Sequence, residues 1–154
     1  LQIINENFGG LPAPWAARAA AMLGDAQLAT GDVEGARATY EKFRTTYPEA
    51  TDLANLGSAR LAVDAGQHDQ AAKLLEPLLA KSPTTAFPPA SEGGALTQAH
   101  YLSGRIKEAT GDHQAALEHY LKASVVFPHD RASAAAAQAR ADALRAGHAG
   151  LIAP

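Results

Sequence analysis

The phrase "ATGDVEGARATYEKFRTTYP" at residues 29–48 returns as "ATGDHQAALEHYLKASVVFP" at residues 109–128, and "DAGQHDQAAKLLEPLLAKSP" at 64–83 carries the same skeleton. A chain that repeats one phrase three times must fold as repeated units, so this feature constrains the architecture more than any other. The three copies align on Gly31, Gly66 and Gly111. Five residues on stands Ala36, Ala71 or Ala116, and nine on stands Tyr40, Leu75 or Tyr120. Twelve on stands Phe43, Leu78 or Ala123, and seventeen on stands Pro48, Pro83 or Pro128. Seven before the glycine stands Gly24, Ala59 or Gly104.

Each column has a physical reason. A glycine at the end of a helix supplies the left-handed conformation at low cost. Asp32 and Asp112, just after it, suit the free N–H groups that open the next helix. The proline stops that helix, because the residue before it is pushed out of helical geometry. Small residues on either side of the turn let two helices cross closely, and the large residues nine and twelve on fill the interface between them. Sustained alternation of apolar and polar residues is absent. Alanine, the best helix former, occurs 37 times, so the whole chain reads as helix with a thin core.

These residues resemble the tetratricopeptide repeat, a helix–turn–helix unit of about 34 residues. Its Leu-Gly pair is matched by Leu23 and Gly24 and in part by Ser103 and Gly104. Its Gly-Asp turn, alanine, aromatic and terminal proline are matched as above. The resemblance implies an all-α, right-handed α-solenoid of antiparallel helix pairs, with units at 17–50, 52–85 and 97–130 inside a repeat region of 14–130. Departures are the usual early aromatic, replaced by Ala20, Asn55 and His100, and the Leu56–Gly57 pair, two residues early. Pro77 falls inside a helix and is expected to bend it.

Residues 1–13 read as an N-terminal extension or the end of an earlier repeat, with Leu1, Ile3, Ile4 and Phe8 as its apolar residues and Pro14 opening the first helix. The start at Leu1 fits a processed form or a fragment. A loop containing Phe87 is expected near 84–94, with the next helix starting near Ser91. Residues 131–147 read as a helix that caps the last hydrophobic face, with a contact stripe of alanines and Leu144, and 148–154 as a tail.

A net charge of −3 gives no broad basic field, so nucleic acid is not an expected partner. The absence of cysteine excludes disulfides and thiolate metal sites. No apolar run approaches the length that spans a bilayer. The sequence carries no H-E-x-x-H, G-x-S-x-G or phosphate-cradling loop, so no catalytic residues, metal site or cofactor are expected. His68 and His113 occupy equivalent positions after the turn glycine and read as turn-packing residues, and Tyr40 and Tyr120 as core.

Binding is what remains. The resemblance implies a concave groove lined by the first helix of each unit. The exposed stripe is Arg18, Ala21, Asp25 and Leu28 in the first unit and Leu53, Leu56, Arg60 and Val63 in the second. In the third it is Gln98, Tyr101, Arg105 and Glu108. Arg60 and Arg105 share one column and are expected to reach an anionic segment together. The lysines and asparagines of the family's chaperone-tail clamp are absent from the stripe, so heat-shock-protein tails are not expected ligands. The expected role is a non-catalytic protein-interaction scaffold for a peptide or protein segment, within a larger bacterial protein. The alternative is a regulatory module attached to an enzyme or secretion component. "YEKFRTTYPEA" and "SVVFPHDRASAAAAQARADAL" look like units of bacterial cell-envelope proteins, which points to the periplasm or envelope and leaves the cytoplasm open. A homo-oligomer is compatible with all of this.

Overall fold

The computed structural model describes residues 13–81, 90–148 and 150–151. The N-terminal extension, most of the expected 84–94 loop including Phe87, and most of the tail lie outside the described residues. Among the described residues seven α-helices follow one another: α1 (Ala13–Ala29), α2 (Val33–Thr46), α3 (Thr51–Asp64), α4 (His68–Leu79), α5 (Ala90–Ala109), α6 (His113–Leu121) and α7 (Arg131–Gly147). A 3-10 turn at Pro48–Ala50 precedes α3, and a π-turn at Lys122–Val126 extends α6. No strand occurs among the described residues. The fold is all-α, with its helices packed pairwise.

The turns form as the spacing predicts. Gly31, Gly66 and Gly111 hold φ of 80°, 72° and 81°, the left-handed conformation that glycine adopts without strain. Asp32 accepts a hydrogen bond from the Gly35 N–H at 2.9 Å, and Asp112 accepts one from the Ala115 N–H at 3.2 Å. Asp130 caps α7 in the same way through Ser133. The second helix of the first unit ends at Thr46, before Pro48, and the corresponding element of the third ends at Val126, before Pro128. Pro77 sits in the last turn of α4, which ends at Leu79. Having no N–H, Pro77 leaves the Lys73 carbonyl, one turn earlier, without its usual helical donor.

The chain divides into two compact units, Leu1–Leu61 and Ala62–Pro154. In the first, α1 packs on α2. Ala17, Ala36, Tyr40, Phe43, Ala54 and Leu61 form the core. Tyr40 is wedged between glycines: a methyl on Gly24 would fall 2.5 Å from its ring, and one on Gly57 only 2.2 Å. Gly57, out of place against the repeat pattern, is thus where α3 admits the ring. In the second unit α5 packs on α4, α6 and α7, and α6 packs on α7. Its core joins Ala116, Leu117, Tyr120 and Ala123 to Ala137, Ala141 and Leu144 of α7. That stripe of α7 is the one expected from the sequence. Tyr120 lies on Gly104, where a methyl would come within 2.4 Å of the ring.

Ala36, Ala71 and Ala116 are each 0 % exposed. The close crossings they permit leave no room for a larger side chain. Ala116→Leu is expected to destabilise the protein by about 1–3 kcal/mol through overpacking, read as a lower denaturation midpoint with an unchanged m-value.

Candidate functional site

The first helix of each unit carries the side chains that the sequence singles out, and the structure sorts them. On α1, Arg18 and Asp25 are exposed. On α3, Leu53 and Arg60 are partly exposed, but Leu56 and Val63 are buried at 5 % each. Those two residues do not belong to an exposed stripe. The reason lies in α3 itself, where Leu53, Ala54, Leu56, Ala59, Leu61, Ala62 and Val63 place apolar residues around the whole circumference. Apolar residues spread around a helix leave no single outer face for periodicity to pick out. On α5, Gln98, Tyr101, Arg105 and Glu108 are all partly exposed.

The two arginines are already engaged. Arg60 reaches back to Asp25 at 2.8 Å, and Arg105 to Asp64 at 2.9 Å. A third pair of the same kind joins Arg140 on α7 to Glu108 on α5 at 2.8 Å. In every case the arginine lies on an odd-numbered helix and its carboxylate on the odd-numbered helix before it. These pairs are partly exposed, so each contributes little to stability by charge alone.

Two of the carboxylates have a further partner. The Tyr40 hydroxyl donates to Asp25 at 2.7 Å, and the Tyr120 hydroxyl donates to Glu108 at 2.5 Å. Burial, and then the hydrogen bond to a carboxylate, push both phenols well up, so they stay neutral donors. Burial pushes the Glu108 carboxyl up as well, but the hydrogen bonds from Tyr120 and Arg140 outweigh it and hold the group below its ordinary range. Tyr40 and Tyr120 are therefore more than core. The sequence held a signal for this: each first helix paired with a column-nine tyrosine carries an acid near its turn, Asp25 or Glu108. Where the column holds Leu75, the positions equivalent to those acids are Arg60 and Val63.

Tyr101 packs at 6.2 Å from the Tyr120 ring, hydrogen-bonds with Arg140 and is partly exposed. His113 packs on His148 with ring centroids 4.1 Å apart, in line with a turn-packing role. Among the described residues no group of three metal-ligating side chains occurs, and no helix is long and apolar enough to cross a membrane. What this arrangement can do chemically is present a partly exposed tyrosine among paired ions.

Models of the family described as "Tetratricopeptide repeat" match residues 20–50 and 97–124. The chain carries tetratricopeptide repeats at these two places. Both matches cover a turn glycine, its alanine and its tyrosine, the residues that the geometry shows to be structural. No curated protein and no solved structure matches the chain. The tetratricopeptide repeat generally serves protein–protein interaction, and the family is typically non-catalytic.

Tyr120→Phe keeps the ring and removes the hydroxyl. It is expected to cost about 1 kcal/mol, because Glu108 retains Arg140 and some access to water. A double-mutant cycle with Glu108→Gln checks it: folding free energies that add without coupling would refute the hydrogen bond.

Proposed function

We propose that the chain is a non-catalytic scaffold that binds a peptide or protein segment on the first helices of its repeats. The repeat units are those at 17–50, 52–85 and 97–130, closed by the helix at 131–147, within a larger bacterial protein working at the cell envelope. The observation that carries the reading is the pair of tetratricopeptide-repeat matches, at residues 20–50 and 97–124, on a chain of paired helices.

On α5, Gln98, Tyr101, Arg105 and Glu108 follow helical spacing, so one bound segment can meet all four. Tyr101 is the natural anchor. An aromatic side chain next to polar groups gives a ligand both contact area and orientation, and such residues dominate interface energetics. Arg18, Asp25, Leu53 and Arg60 form the first unit's counterpart. Because Arg60 and Arg105 already hold Asp25 and Asp64, an anionic ligand must displace an existing partner. The net electrostatic gain is then small. Binding anchored on Tyr101 and only weakly sensitive to salt fits this face better than charge-driven capture.

The experiment is affinity capture with the immobilised chain, followed by affinity measurement for the captured partner at two salt concentrations. Tyr101→Ala is expected to weaken binding about tenfold with folding intact, and Arg105→Ala to change it less. A partner held equally well by wild type and by Tyr101→Ala would overturn the proposed face.

A further inference from the structure

A second polar cluster lies in the unit Ala62–Pro154, apart from the face just described. His100 projects from α5 and is only 9 % exposed. Its ring stacks on Phe127, with centroids 5.5 Å apart and planes 2° from parallel. On another side it meets His119 of α6, where the two Nδ1 atoms are 3.0 Å apart. At that separation one ring donates its N–H and the other accepts, so the gap holds a single proton. A second proton there would set two donors face to face.

The surroundings disfavour a cation. Glu118 and His119 face His100 from α6, and Lys122 faces it from the π-turn. Lys107 and Asp112 act on His119 from beyond α6, and Lys73 and Glu76 of α4 line the same cavity as His119. Glu118 is the carboxylate that would welcome a charge on His100, and Lys122 already engages it. Burial first, then His119 and Lys122, lower the His100 imidazole to about 4. Burial and then Lys122 lower His119 as well.

What the pair holds is the elbow that starts the last helix. Phe127 ends the π-turn, and the hydroxyl of Thr97 on α5 lies between its carbonyl and that of Gly93, the two acceptors for its one proton. The N–H groups of His129 and Asp130 donate to the same hydroxyl oxygen, each at 3.3 Å, and Asp130 caps α7. The stack on His100 and the contacts of Thr97 therefore fix residues 127–130 to α5.

We propose that the His100–His119 pair is a proton-operated latch: while neutral it holds the Phe127 elbow against α5, and acidification loosens it so that α7 opens more often. The sign follows from linkage. The folded value of about 4 lies below the 6.5 of a free imidazole. The stabilisation is thus complete above pH 6.5 and is lost as the pH falls toward 4. For His100 alone, those two values give about thirtyfold more opening at pH 5 than at pH 8.

Hydrogen exchange of the α7 amides in the full chain, corrected for intrinsic rates, measures this opening. The comparison is His100→Phe/His119→Gln, which keeps a ring on Phe127 and does not titrate. Wild type is expected to lose about thirtyfold of its protection between pH 8 and pH 5, and the double variant almost none. An equal loss in both proteins, or no loss in wild type, would overturn the latch. If the variant does not fold, the NMR titration of His100 in wild type decides, and an ordinary midpoint near that of free imidazole rejects the proposal. Zinc that raises the melting temperature of wild type at neutral pH, and not that of the variant, would reassign the pair to a metal ion and reject it too.

Discussion

A tyrosine ring laid on a glycine is the interaction on which the rest of this structure depends. Tyr40 reaches Gly24 and Gly57 so closely that no β-carbon fits at either, and Tyr120 does the same at Gly104. An alanine-rich chain buries little apolar surface per residue, so its stability rests on short distances between helices. The glycines supply the distance and the tyrosines fill it. The ring delivers its hydroxyl to the rim, where a carboxylate waits. Packing and polar contacts are thereby solved by one side chain.

The middle copy shows what happens without it. Leu75 fills the same column and is fully buried, yet it brings no hydroxyl. The carboxylate nearest its turn is Asp64, which Arg105 holds. The first helix of this copy, α3, carries apolar side chains around its circumference, and Leu56 and Val63 are inside. A conserved-looking skeleton thus supports two different interiors, one aromatic and hydrogen-bonded, one aliphatic.

Much of the fold was legible in the sequence because its determinants are local. A left-handed glycine, an aspartate cap and a terminating proline act within a few residues, so their spacing can be read directly. The alanine columns were legible for a related reason: close helix crossings tolerate nothing larger. The candidate face was legible only in part. Periodicity marks a face when the other faces differ from it, which holds for α5 and fails for α3. The partners of Arg60 and Arg140 lie 35 and 32 residues away, and those of the histidine pair 19 apart. No local rule links such positions. The hydroxyl of a column-nine tyrosine was nevertheless foreshadowed by the acid on the preceding helix.

The order of the three members in the two tyrosine-containing sites has a consequence for how the chain is made. Asp25 precedes Tyr40, which precedes Arg60, and Glu108 precedes Tyr120, which precedes Arg140. A polypeptide emerging from the ribosome, N-terminus first, therefore presents acid and phenol before the guanidinium exists. A single helical hairpin can close its own tyrosine–carboxylate bond while the following helix is still being synthesised. The arginine is the last of the three to be made, so neither site can be completed before the following helix has been synthesised.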